Sequence, residues 1–373
     1  MNLLELICSR IENQGELPFV DFMQQALYDP KFGYYSGGLQ KFGAQGDFIT
    51  APELTPLYAE TLANQCQQVL SSLIEPCLFE FGAGSGRLCV DLLKALEKRS
   101  CLPEKYYILE ISPNLRQRQQ ELFAQAIPHL VSKINWLERW PEKAFSGVII
   151  ANEVLDAMPV HRFLQTEEGI EESFVSFDEK KGNLVEHFKP STNQRLINYL
   201  QENVDKELFP YLSEVNLFVE DWIKHCFTML TSGAMFIIDY GFPRHEYYHS
   251  DRNMGTLMCH YRHHAHPDPL IHVGEQDITA HVDFTQVAEA AFTAGFHVAG
   301  YTNQASFLLA NGLLSLLQLA DYKDKRQEML EKQAVKQLIQ PNEMGELFKV
   351  IALTKNLDLE LTGFQLQDKR ASL

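Results

Sequence analysis

Three stretches of the sequence combine residue types and spacings that could do chemistry. The first is Phe79-Glu80-Phe81-Gly82-Ala83-Gly84-Ser85-Gly86, between an apolar run and a helical one. Glycines turn the backbone tightly and let it approach a ligand without Cβ obstruction, and the next helix begins with free N–H groups. A nucleotide-like ligand is expected there. The spacing is E-x-G-x-G-x-G, whereas a dinucleotide pyrophosphate calls for G-x-G-x-x-G, and Arg87 stands where the last glycine belongs. An NAD reading is weakened accordingly; the alternative without a ligand is a tight strand-to-helix turn. The second is Glu110, at the end of the next apolar run, where doubly wound folds place an acid that accepts from both ribose hydroxyls. Its alternative role is electrostatic support for the helix opening at Ser112-Pro113, with Ser112 as cap. The third is Ala151-Asn152-Glu153-Val154-Leu155-Asp156-Ala157-Met158-Pro159. Glu153 and Asp156, at i and i+3, could hold a planar guanidinium, or raise one another's pKa and move protons. A turn capped by Asn152 or Asp156 is the plainer reading.

A later motif, DITAHVDF, carries Asp277, His281 and Asp283. A histidine titrates near neutrality, so His281 is a candidate to receive a released proton. Asp283 reads as the N-cap of a helix opening at Phe284. His260, His263, His264 and His266 lack cysteine partners and a recognised ligand spacing, so no metal is expected.

The elements that must position these residues follow from periodicity. Short apolar runs separated by helical patterns indicate a parallel sheet covered on both faces. CLFEF, YYILE, KINW, GVIIA and AMFIIDYG read as five successive strands, and FHVAGYT and LFKVIALT as two more. Helices are expected at 53–73, 86–98 and 112–125, at 191–203 and 215–230, over Phe284 to Ala294, and from about 305 to 339. A hairpin-like segment (ESFVSF, LVEHF) interrupts the core after the fourth strand, and a long irregular stretch follows the fifth. The expected domains are an N-terminal helical and lid segment (1–75), a core (76–355) with insertions at about 160–232 and 242–282, and a C-terminal tail (356–373).

Composition bounds the rest. The 373 residues, 45% hydrophobic and 22% charged, are globular in character. A formal charge of −17 is opposite to a nucleic-acid footprint. Seven cysteines without a C-x-x-C pair argue for a reducing compartment. The start, MNLLELICSR, has neither signal-peptide nor transit-peptide character, and no window is apolar enough to span a membrane. A cytoplasmic bacterial protein is expected, with no nucleic-acid partner and no membrane insertion. Oligomeric state is not readable.

Taken in order, ALYDPKFGYYS, GDFITAPELTPLYAE, FEFGAGSGRL, YYILEISPNLRQRQ, IIANEVLDAMPV, IIDYG, GEQDITAHVDFT and MGELFKV closely resemble the MidA family of S-adenosylmethionine-dependent methyltransferases. The resemblance runs from about residue 20 to 352. It implies an α/β, class I (Rossmann-like) seven-stranded methyltransferase core with S-adenosylmethionine as cofactor. For mitochondrial relatives it implies symmetric dimethylation of an arginine on a subunit of respiratory NADH:ubiquinone oxidoreductase during assembly. By resemblance, Gly82, Gly84 and Gly86 form the turn under the methionine part of the cofactor, Glu110 is the ribose acid, and Ala83 and Ile111 also belong to the cofactor site. Gly46, Asp47 and Thr50 form a lid segment, and Asn152 and Glu153 stand where donor meets acceptor. Relatives often carry Pro or Arg within the glycine turn, where this chain has Ala83 and Ser85. The expected reaction is methylation of a guanidino nitrogen on a protein, with Glu153, Asp156 and His281 as catalytic candidates. The alternatives are another methyl acceptor, a small molecule or a different side chain, and an assembly chaperone that binds cofactor with little turnover.

Overall fold

The computed structural model describes residues 2–37 and 50–373. Gly46 and Asp47, expected in a lid, lie outside the described residues.

The apolar runs form one central, mostly parallel sheet. Its main strands are β1 (Cys77–Phe81), β2 (Tyr106–Leu109), β3 (Ile134–Leu137), β4 (Phe145–Asn152), β5 (Leu230–Phe242), β6 (His297–Asn303) and β7 (Phe348–Lys355). Their spatial order is β6-β7-β5-β4-β1-β2-β3. The strands from β5 to β3 in that order run parallel, and β7 is antiparallel to both β5 and β6. A further two-residue strand, Val282–Asp283, pairs with the end of β5. The chain leaves β1 towards β2 and β3, then returns to the other side of β1 for β4 and β5. The crevice at the carboxyl ends of β1 and β4 is therefore the switch point, where open α/β sheets bind ligands.

Alternation along the strands divides the core between two faces. Leu78, Val148, Ile150 and Phe236 pack against the helices Pro56–Leu70 and Arg87–Lys98. Phe79, Phe81, Ile149 and Ile237 face Val219–Met229 and Phe284–Ala294 instead. Both faces are covered, which explains why the strands read as continuous apolar runs.

The segment between β4 and β5 builds a second sheet from His161–Thr166, Gly169–Asp178, Asn183–Pro190 and Tyr211–Val215. The N-terminus joins it: Leu17–Pro18 pairs antiparallel with Gly169–Asp178. Helices Leu3–Gln14 and Phe19–Tyr28 bury Ile7, Ile11, Phe22 and Met23 in a core shared with Val175, Cys259 and Ile278. Residues of the N-terminal segment are thereby brought to the mouth of the crevice.

Three expectations change. The helix expected over 53–73 is two pieces, Ala51–Leu54 and Pro56–Leu70. Pro56 pushes the residue before it out of the helical region, and Thr55 is extended at φ −161° and ψ 141°. The helix expected over 215–230 starts later, at Val219, because Val215 ends a strand paired with His161. The irregular stretch after β5 contains a small sheet of Met258–Tyr261, His264–His266 and Asp277–Thr279. Among the described residues, no helix is long and apolar enough to cross a membrane.

Candidate active site

The glycine turn follows β1 directly. Gly82, Gly84 and Gly86 all have positive φ, at +55°, +53° and +85°, a region costly for residues with a Cβ. They serve different ends. A Cβ on Gly82 would meet nothing within 4 Å, so its backbone faces open space. A Cβ on Gly86 would stand 2.7 Å from the Phe123 ring, so this glycine allows the next helix to pack.

The turn opens on a cavity of about 250 Å³. Thr50, Gly82, Ala83, Gly84, Glu110, Ile111, Asn152, Glu153 and Asp156 all line it. Gly86 does not, and neither does His281. His281 lies between the rings of Tyr240 and Phe242, with centroids at 5.2 Å from each. Burial pushes its pKa down to about 4, helped by Arg252 and Lys349, so the imidazole is neutral and poorly basic at pH 7. Its expected place beside the reacting atoms is corrected on both counts. Asp283 caps the helix at Phe284 through Thr285 and Gln286 N–H groups, at 2.9 and 3.1 Å.

Glu110 is fixed before any ligand arrives. Its carboxylate accepts from Ser112 N–H at 3.0 Å and from the Gln119 amide at 3.1 Å, while Ser112 caps the helix Pro113–Ala126. The same side chain thus supports the helix start and lines the cavity.

Asn152, Glu153 and Asp156 lie on the turn that leaves β4. Tyr58 donates to Asn152 Oδ1 at 2.6 Å, and Asn152 Nδ2 donates to Glu153 Oε1 at 3.1 Å. Glu153 itself has φ +55°, unusual for a side chain of its kind. The residue that stabilises this turn is Asp239 on β5, which is fully buried. Its Oδ2 accepts from the N–H groups of Val154, Leu155 and Asp156 at 3.1, 2.9 and 3.4 Å. Its Oδ1 accepts from Tyr240 N–H at 2.9 Å.

The electrostatics are one-sided. Glu53, Glu80, Glu110, Glu153 and Asp156 line the cavity, and no Lys, Arg or His does so among the described residues. Burial, reinforced by Asp156, raises the Glu153 carboxyl to about 8. Burial raises Asp156 to about 6 and Glu80 to about 7. Asp239 is pushed well up by burial and by Asp156 and Glu153. Glu153 Oε2 and Asp156 Oδ1 are buried without a hydrogen bond of normal geometry among the described residues. Buried carboxyl oxygens in such a setting are costly unless a proton or a ligand satisfies them.

Sequence reasoning missed several residues of the site. Tyr28 and Tyr35, both within ALYDPKFGYYS, line the cavity and stack on each other at 5.4 Å. Tyr28 donates to the Ala157 carbonyl and Tyr35 to Asp277 Oδ1, each at 2.9 Å. Glu53 reaches the glycine turn by accepting from the Ser85 hydroxyl. Two signals were present, Glu80 in FEFGAGSG and Asp239 in IIDYG, but neither motif says what its acid does.

Comparison with known proteins agrees with this geometry. A crystal structure of a Burkholderia thailandensis protein bound to S-adenosyl-homocysteine superposes with a TM-score of 0.94 at 42% identity, covering 100% of this chain and 96% of that one. The Danio rerio protein arginine methyltransferase NDUFAF7, mitochondrial, is 28% identical over 94% of this chain and 86% of its own length. The Homo sapiens protein of the same name is 24% identical over 97% of this chain and 86% of its own. Residues 61–302 match the model of a family described as S-adenosyl-L-methionine-dependent methyltransferase. The chain has that fold, with its central, mostly parallel sheet, and it belongs to this family of methyltransferases, with S-adenosylmethionine as cofactor.

Proposed function

We propose that the chain methylates a guanidino nitrogen of arginine on a protein. The observation that carries this reading is the charge of the cavity: five carboxylates, from Glu53 to Asp156, with no basic side chain among the described lining residues. A sulfonium and a guanidinium together would offset what burial costs these acids. The relatives named protein arginine methyltransferase, at 24–28% identity, support the same acceptor. A subunit of respiratory NADH:ubiquinone oxidoreductase, or its bacterial equivalent, is the acceptor protein that the MidA resemblance suggests.

The residues present suit the cofactor. The open backbone at Gly82 is a cradle that a side chain would fill. Gly82, Ala83 and Gly84 would hold the methionine part, Glu110 the ribose hydroxyls, and Ile111 the neighbouring edge. Thr50 and Asn152 would close the two sides, while Gly86 supports the turn from behind. Bound there, S-adenosylmethionine supplies a methyl group already activated on a sulfonium.

The protein's own task is alignment and exclusion of water, an effect worth about 7 to 11 kcal/mol at its upper end. The guanidinium, with a pKa above about 12, arrives protonated and with its lone pairs delocalised. Glu153 would accept from the nitrogens that do not react, fixing the plane and drawing positive charge away from the attacking one. Asp156, raised only to about 6, is ionised at neutral pH and stands ready to take the proton that nitrogen releases. Incubation with labelled cofactor and an arginine-containing protein fraction, followed by hydrolysis, should yield labelled methylarginine. Glu153→Gln should retain cofactor and lose most methyl transfer; full transfer by that variant would refute the assignment.

A further inference from the structure

The helix Phe19–Tyr28 has two faces. Phe19, Phe22, Met23, Ala26 and Leu27 are buried in the N-terminal core, while Asp21, Gln24 and Gln25 face outward. An open groove of about 470 Å³ runs along that outer side, lined by Arg10, Asp21, Gln24, Gln25, Tyr28 and Asp29, with Pro30 at its end. Tyr28 lines this groove and the acidic cavity alike. Its phenol is anchored to the Ala157 carbonyl and its ring stacks on Tyr35. It stands between an outer, more open, polar space and an inner, acidic one.

We infer that the groove holds the polypeptide on either side of the acceptor residue, and that the acceptor side chain enters the cavity across the Tyr28 ring. The inference rests on the arginine reading and extends it to how the substrate is presented. The groove is too open to bury a small molecule as ligand pockets do. The Gln24 carboxamide can donate and accept, and Gln25, whose Oε1 already accepts from Arg10 at 3.4 Å, keeps its N–H groups to donate, which suits the N–H and C=O groups of an extended backbone. Asp21 is already paired with Arg10 at 2.8 Å, so the groove selects chain rather than charge. Charge is selected further in, where Glu153 and Asp156 wait. A guanidinium passing between them meets an aromatic face on which its plane can stack.

The test compares two acceptors: a pool of short random-sequence peptides with one fixed central arginine, and N-acetyl-arginine methylamide, which has no flanking chain. Methyl transfer from labelled cofactor is followed for the wild type, Gln24→Trp, Tyr28→Phe and Tyr28→Ala. Gln24 is exposed, so the tryptophan fills the groove without disturbing the fold. The ratio of kcat/KM for the pool to that for the small acceptor should fall about tenfold in Gln24→Trp. Tyr28→Phe should keep the ratio, and Tyr28→Ala should lower kcat/KM for both acceptors. An unchanged ratio in Gln24→Trp, or a wild type that prefers the small acceptor, would overturn the inference and leave arginine methylation standing. A wild type that labels neither acceptor, while binding cofactor, would instead remove the arginine reading and this inference with it.

Discussion

Glu153 offers a measurement that reads the site's charge directly. Its carboxyl is raised to about 8, first by burial and then by Asp156, so at pH 7 about nine-tenths of the molecules carry the proton. If the sulfonium binds beside Glu153, that proton must leave. Ionising the carboxyl at pH 7 costs about 1.4 kcal/mol, one pH unit below its pKa, so cofactor affinity should improve about tenfold between pH 7 and pH 9. Calorimetric titration with S-adenosylmethionine in two buffers of different ionisation enthalpy counts the protons released. The wild type should release about 0.9 more than Glu153→Gln at pH 7, and the difference should vanish near pH 9. Subtracting the variant cancels any proton carried by the ligand. Equal counts for the two proteins would refute the placement of the sulfonium at Glu153.

The same shift has a consequence for the ligand-free protein. A carboxyl whose folded pKa exceeds its unfolded value of about 4.3 binds more protons when folded, so its contribution is greatest below that value and is lost as pH rises. For Glu153 the loss runs up to about 8 and for Asp156 up to about 6. Thermal unfolding without ligand should therefore show a Tm that falls from pH 5.5 to pH 8.5, less steeply in Glu153→Gln, and saturating cofactor should remove the share of that fall owed to Glu153. Gly86→Ala combines a left-handed φ with a Cβ 2.7 Å from Phe123, and should lower stability by about 2–4 kcal/mol in denaturant titration. Gly82→Ala meets no neighbour, so it should cost only about 1–2 kcal/mol of stability while weakening cofactor binding more than about tenfold. Asp239→Asn should lower kcat about 100-fold with cofactor Kd changed less than about threefold, because it loosens the turn that aims Glu153. His281→Phe should leave kcat and its pH profile within about twofold of wild type; loss of the acidic limb would restore the histidine as proton acceptor.

What the sequence made legible follows a physical division. Periodicity reports which residues must be buried, so the strands of the central sheet and the helices on both faces could be read from runs such as CLFEF and GVIIA. Local spacing reports what a turn can do within a few residues, and so the glycine turn, Glu110, Glu153 and Asp156 were found and lie on one cavity. Neither kind of signal reaches across the chain. Asp239 accepts from Leu155 N–H 84 positions away, and Tyr35 donates to Asp277 242 positions away. Asp239 reaches the β4 turn because β5 pairs with β4 at Ile238 and Asn152, whereas Tyr28 and Tyr35 come over the crevice because the insertion after β4 carries a sheet that accepts Leu17–Pro18 as an edge strand. His281 failed in the opposite direction: a residue type suited to proton transfer was taken as evidence of position, yet Tyr240 and Phe242 enclose it away from the cavity. Residue type is informative where burial makes it costly. A histidine among aromatics becomes neutral at little expense, whereas carboxyls gathered in one cavity without a basic side chain among its described lining residues must be held protonated far above their usual range until a ligand brings a charge. That asymmetry is why the acids of the β4 turn, rather than the histidines, carry the functional argument.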